Sequence, residues 1–116
     1  MHGHMELVVW QKAMDLVMAI YKVTRAFPKE ELYGLTSQIR RAAVSVPSNI
    51  AEGHALKQTQ AYMRHLAIAS GSLAELQTQL DIASRLGYLT PEATKVLGQA
   101  DEVGRMLAGL RRSLKA

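Results

Sequence analysis

Few side chains in this 116-residue chain could do covalent or acid–base chemistry. Glu52 and His54 are the one acid–imidazole pair worth naming, and His65 follows eleven residues later. General acid–base catalysis needs such groups aimed at a common reacting atom, and this spacing does not aim them. A di-iron site in a helix bundle needs Glu-x-x-His pairs on facing helices, and the chain has none. It has no cysteine, no glycine-rich phosphate loop and no evident serine–base–acid set. His2 and His4 could hold only an adventitious metal ion. The expectation is a protein that is not an enzyme, with no cofactor and no resident metal.

The remaining chemistry is cationic. Net charge is +4, from 14 basic and 10 acidic residues. Arg105, Arg111, Arg112 and Lys115 lie in the last twelve residues with no acid among them, and the rest of the chain balances at ten and ten. The chain is therefore not basic throughout; it has a basic end.

Four amphipathic segments must position these residues. Helix 1 is expected from about Glu6 to Arg25. Val9, Ala13, Leu16, Ile20 and Val23 form one apolar stripe, and Trp10, Met14, Val17 and Tyr21 form a second beside it. Phe27-Pro28 ends it. Helix 2 covers 35–53, with Leu35, Ile39, Ala42, Ala43, Val46 and Ile50 on one face. Thr36 or Ser37 is its expected cap, and Gly53 its expected left-handed stop. The apolar rhythm continues past Pro47, so a kinked helix is expected rather than two elements. Helix 3, about 59–86, follows with Thr59 as candidate cap. It carries a heptad-like run of Tyr62, Leu66, Ala69, Leu73, Leu76, Leu80 and Ala83. Its small-residue strip Ala67, Ser70, Gly71 and Ala74 would admit another helix closely. Gly87 stops it. Thr90-Pro91 starts helix 4, about 91–114, with Val96, Ala100, Val103, Leu107, Leu110 and Leu114 inward. The fold class is all-α: an antiparallel up-down-up-down four-helix bundle in one domain, residues 5–116. Residues 1–4 read as an added tag or disordered start.

Several of these stretches resemble a known family. They are LYGLTSQIRRAAVSVPSNIAEG at 32–53, the WQKAMDL run with Tyr21 and Phe27-Pro28, and LAIASGSLAELQTQLDIASRLGYL at 66–89. They are similar to the small bacterial four-helix-bundle proteins encoded by intervening sequences in large-subunit ribosomal RNA genes. The resemblance implies a bundle, ring-like oligomers and a link to nucleic acid. Accessory proteins of diversity-generating retroelements look similar; there a basic pentamer works with a reverse transcriptase and RNA. A homo-oligomer, pentameric by that analogy, is the expectation. Fold alone does not give function.

Antiparallel order would bring distant cations together. The start of helix 1, the end of helix 2, the start of helix 3 and the end of helix 4 would share one pole. Lys57, Arg64, Arg105, Arg111, Arg112 and Lys115 gather there, against Glu6 and Glu52, with His54 and His65 nearby. These six cations are the candidate nucleic-acid contacts. Repeated around a ring they would attract polyanions, more weakly as salt rises. Cations at a helix C-terminus also oppose the helix dipole, so two mechanisms use the same residues. Nothing points to base-specific readout.

Trp10 and Tyr21 read as core or subunit-contact residues. Arg41, Ser45, Ser48 and Glu52 share a polar face of helix 2 with Arg40 adjacent, and they read as a structural or interface network rather than a ligand site. Asn49 is expected to satisfy carbonyls freed by Pro47 or to bond across helices. The broad apolar arc of helix 1 suggests oligomerisation. No apolar run approaches the roughly 20 residues of a membrane span, and no secretion signal is seen. With no cysteine, a cytoplasmic protein is expected. Two function classes follow: an oligomer binding RNA or other nucleic acid through phosphate contacts, or a protein-interaction scaffold ring docking a partner such as a polymerase.

Overall fold

A computed structural model describes residues 3–115 of the chain. Four helices carry the architecture: α1 (Val8–Thr24), α2 (Leu35–Ala55), α3 (Thr59–Arg85) and α4 (Lys95–Lys115). Short 3₁₀ turns at His4–Glu6, Lys29–Glu31 and Glu92–Thr94 lead into α1, α2 and α4. No strand occurs among the described residues. Each helix packs on two neighbours, α1 on α2, α2 on α3, α3 on α4 and α4 back on α1.

Cross-helix pairings fix the directions. Ser45 meets Ser72 and Asn49 meets His65, so numbers rise on α2 as they fall on α3. Gln77 meets Asp101 and Leu73 meets Gly104, the same relation between α3 and α4. Lys12 meets Glu102, while Ala19 and Val23 share a groove wall with Val96 and Ala93. Neighbouring helices therefore run antiparallel around the ring.

The heptad positions of α3 explain the core. Leu66, Ala69, Leu73, Leu76, Leu80 and Ala83 are buried, and so are Val96, Ala100, Val103 and Leu107 of α4. They meet Val9, Ala13, Leu16 and Ile20 of α1 and Ile39, Ala43, Val46 and Ile50 of α2. The second stripe of α1 behaves differently. Val17 is buried and Trp10 half-buried, but Met14 and Tyr21 are exposed, and Met18 beside them is 66% exposed.

The helix ends depart from expectation in instructive ways. The first donor of α2 is taken by neither Thr36 nor Ser37. Leu35 N–H donates to Glu31 Oε1 at 3.2 Å, because the 3₁₀ turn places Glu31 one turn upstream. Thr36 is buried instead. Gly53 is not a stop: α2 runs through it to Ala55, and the left-handed residue is Lys57, at φ 56°. Gly53 is there for close approach. A Cβ on it would lie 2.7 Å from His65 Cβ and 3.1 Å from Tyr62 Cδ1. Thr59 is the first residue of α3 rather than its cap. Gly87 does end α3, at φ 80°, with Tyr88 N–H donating to the Ala83 carbonyl and Gly87 N–H to that of Ser84. That is the Schellman arrangement. Thr90 Oγ1 accepts from Ala93 N–H at 3.2 Å, but the helix proper begins at Lys95, after a 3₁₀ turn. α2 continues unbroken through Pro47, whose ring is buried in the packing. Helix α1 starts at Val8 rather than Glu6, because Leu7 is extended. His4 is part of the fold, its ring edge-on to Trp10 at 5.1 Å. His2 lies outside the described residues.

Candidate nucleic-acid interface and the polar seam of α2 and α3

The α3–α4 register decides which cations share a level. Gln77–Asp101 and Leu73–Gly104 place the C-terminal end of α4 beside the first turns of α3. Arg111, Arg112 and Lys115 thus lie level with the stretch of α3 that holds Arg64. Arg105 sits about 10 Å further along α4, at 1.5 Å per residue. Lys57 stands in the α2–α3 connection at the same pole. Lys57, Arg64, Arg105, Arg112 and Lys115 are exposed, and Arg111 is half-buried with its Nε unpartnered. None of the six makes an ion pair among the described residues, where Lys12 pairs with Glu102 and Arg85 with Asp81.

The opposite pole is more nearly neutralised. Arg85 is held by Asp81 at 3.2 Å. Glu31 accepts from both Leu35 N–H and Tyr88 Oη–H. That second bond raises the Tyr88 phenol above its ordinary value, because the carboxylate favours the protonated donor.

Between the poles a polar ladder runs along the α2–α3 seam. Ser45 and Ser72 share a hydroxyl–hydroxyl bond at 2.7 Å. Asn49 Nδ2 donates to the Ser45 carbonyl at 2.9 Å and to Ser45 Oγ at 3.0 Å. Asn49 thus bonds a carbonyl two residues beyond Ala43, the one whose helical donor Pro47 lacks. Its Oδ1 faces His65 Nδ1 at 3.0 Å. A carbonyl only accepts, so the amide orientation is fixed and His65 Nδ1–H is the donor. His65 Nε2 then faces Glu52 Oε2 at 3.7 Å. Asn49 does bond across helices, and Glu52 stands beside the far ring nitrogen of His65. Arg41 and Ser48 stand outside it. Arg41 instead lines an open polar cleft of about 430 Å³ with Tyr33, Ser37, Glu75 and Gln79. The members that sequence reasoning missed are Ser72 and His65. The small-residue strip beside Ser72 signalled a close helix, but which residues of α2 would face Ser72 and His65 depends on the α2–α3 register.

Arg40 turns the other way, toward α1. Its Nε donates to Thr24 Oγ1 at 2.9 Å, and its guanidinium carbon lies 4.6 Å from the Tyr21 ring centroid. Trp10 packs at the edge of the core. The strip of Ala67, Gly71 and Ala74 is exposed, and a Cβ on Gly71 would meet nothing within 4 Å. No helix of this chain fills it.

His54 and His65 have different ring neighbours. His54 lies edge-on to Tyr62 at 5.7 Å, while His65 is engaged by Asn49. Burial raises the Tyr62 phenol, and its hydroxyl meets no partner among the described residues. No group of three or more potential metal ligands occurs among the described residues. No helix there is long and apolar enough to cross a membrane.

Known proteins place the chain. A family model described as 23S rRNA-intervening sequence protein matches residues 5–109. A comparison with curated proteins finds no match.

Proposed function

We propose, for a chain that belongs to the 23S rRNA-intervening sequence protein family, a non-enzymatic role: a cytoplasmic homo-oligomer that binds RNA or other nucleic acid without sequence preference. The observation that carries this reading is the gathering of Lys57, Arg64, Arg105, Arg111, Arg112 and Lys115 at one pole, with no carboxylate of the described residues paired to any of them. Lys and Arg that neutralise phosphates release condensed counterions, and that release drives sequence-independent binding. A ring of such poles multiplies the field. The exposed Met14, Met18 and Tyr21 of α1, with Val44 of α2, support association between copies. A pentamer is the analogy's number.

The test is titration of labelled single-stranded RNA at several salt concentrations, with solution mass measured alongside. Expected are binding at about 50 mM salt and a linear fall of log affinity with log salt. Absence of binding, or salt-independent binding, refutes the reading. A mass of one chain at micromolar concentration refutes the oligomer.

The same apolar face of α1 favours a second reading, a scaffold ring that docks a protein partner through its basic pole. Capture of a partner that survives nuclease digestion, with no affinity for naked RNA, is the result that selects it.

A further inference from the structure

Arg40 is held unlike any other cation of this chain. Thr24, the last residue of α1, is buried, and its hydroxyl donates to the Ile20 carbonyl at 2.7 Å. With its proton committed there, Thr24 Oγ1 offers a fixed lone pair, and Arg40 Nε–H donates into it at 2.9 Å. The guanidinium plane also rests over the face of Tyr21, 4.6 Å from the centroid. Two contacts from two directions fix a side chain that is otherwise among the most mobile.

A guanidinium has five N–H donors. Thr24 takes one, and the terminal nitrogens keep the remaining four. No acceptor among the described residues meets them, and neither nitrogen is sealed from solvent. A half-buried, immobilised arginine is ordinarily matched to a carboxylate, yet no carboxylate of the described residues pairs with Arg40. Its sequence neighbour Arg41 is of its own sign, and so are Arg25 and Lys22, which follow Thr24 and Tyr21 on α1 and its end; all three are exposed. The acid of the adjoining connection that is tied down, Glu31, is bonded to Leu35 and Tyr88 instead.

We infer that Arg40 is a preset oxyanion clamp that takes a phosphate of a nucleic-acid strand through its two terminal nitrogens, with Thr24 and Tyr21 as positioning residues. The planar fork matches two oxygens of a phosphodiester. This rests on the nucleic-acid reading above but places a contact outside the basic pole. Its head is tied to Thr24, beside the part of α1 that faces Ala93 and Val96 of α4, about 25 Å along the axis from Arg111 at 1.5 Å per residue. A bound strand would thus follow the side of the bundle.

The experiment has two arms on the full chain. The first follows the Arg40 Nε–H resonance during titration with inorganic phosphate, against chloride at equal ionic strength. The clamp predicts a saturable shift with phosphate alone. The second measures RNA affinity and salt slope for Arg40→Lys, Arg40→Gln and Thr24→Val, with the Arg111→Gln/Arg112→Gln/Lys115→Gln variant beside them. Arg40→Lys keeps the charge and loses the fork, so affinity should fall about tenfold with an unchanged slope. Arg40→Gln should lower the slope by about 0.7, one single-strand phosphate contact. Thr24→Val should weaken binding at constant slope, with helicity showing that the bundle is intact. A phosphate-silent Arg40, or Arg40→Lys equal to the parent, overturns the clamp whatever the pole variant does. An Arg40 substitution that changes solution mass while RNA affinity stays constant overturns it in favour of a contact between copies. If phosphate shifts Arg40 but the pole variant keeps its full slope, the clamp stands and the basic-pole reading falls.

Discussion

Replacing Gly53 by alanine should destabilise the protein, although Ala is the better helix former. Gly53 lies inside α2, so the intrinsic gain on going to Ala is about 1 kcal/mol. Against it stands the contact with α3. The new Cβ would sit 2.7 Å from His65 Cβ and 3.1 Å from Tyr62 Cδ1. Neither atom can rotate away, because one is fixed to the backbone and the other belongs to a packed ring. Restoring ordinary contact, at 3.4 Å or beyond, means moving His65 and the new methyl apart by about 0.7 Å. The close approach of α2 and α3 that seats the ladder would be lost. Overpacking of this kind costs about 1–3 kcal/mol. With the propensity gain subtracted, a net loss near 1 kcal/mol is expected, or about 4 °C in Tm for a domain of this size. Gly71→Ala is the internal control. Nothing lies within 4 Å of its added methyl, so it should gain stability, up to about 1 kcal/mol. Thermal and urea unfolding of both variants give the comparison. A double-mutant cycle with His65→Gly, which removes the opposing Cβ, isolates the contact. The double variant should be less damaged than the sum of the singles, by more than about 0.5 kcal/mol. Stabilisation by Gly53→Ala, or strict additivity with His65→Gly, would refute the close approach.

Two further perturbations read the seam. Asn49→Ala removes the centre of the ladder, leaves His65 Nδ1 without its partner and leaves Ser45 Oγ bonded to Ser72 alone; a loss of about 1–3 kcal/mol is expected in urea unfolding. Tyr62→Phe should be neutral or stabilising, since it deletes a buried hydroxyl with no partner. The phenol of Tyr62 is raised above 10.0 by burial, so the folded state prefers it protonated. Its contribution is therefore complete below pH 10 and is lost as pH rises through the higher folded value. Unfolding curves from pH 8 to 11 should show that alkaline decline in the parent and a smaller one in Tyr62→Phe.

Much of the fold was legible in the apolar periodicity, because four core-facing stripes at helical spacing admit few arrangements once the connections are short. Leu66, Leu73, Leu80, Val96 and Val103 fall where that rhythm puts them. Local ends were less legible, for a physical reason. A helix donor is taken by whichever acceptor tertiary structure brings near, and Glu31 reaches Leu35 before Thr36 or Ser37 can. Gly53 misled in the same way: glycine serves both left-handed turns and close helix crossings, and only the position of α3 tells which. The polar ladder was half visible. Ser45, Asn49 and Glu52 stood out beside Pro47, but the residues they face, Ser72 and His65, belong to another helix and depend on its register. Arg40 was visible as a residue, while its tether to Thr24 needed the α1–α2 crossing.

The central claim is that cations from separate helices act together on phosphate. The salt slope of RNA binding, compared between the parent and the Arg111→Gln/Arg112→Gln/Lys115→Gln variant, tests it most directly. Three lost single-strand phosphate contacts should lower the slope by about 2, with helicity and solution mass unchanged. An identical slope in the two proteins would contradict the account.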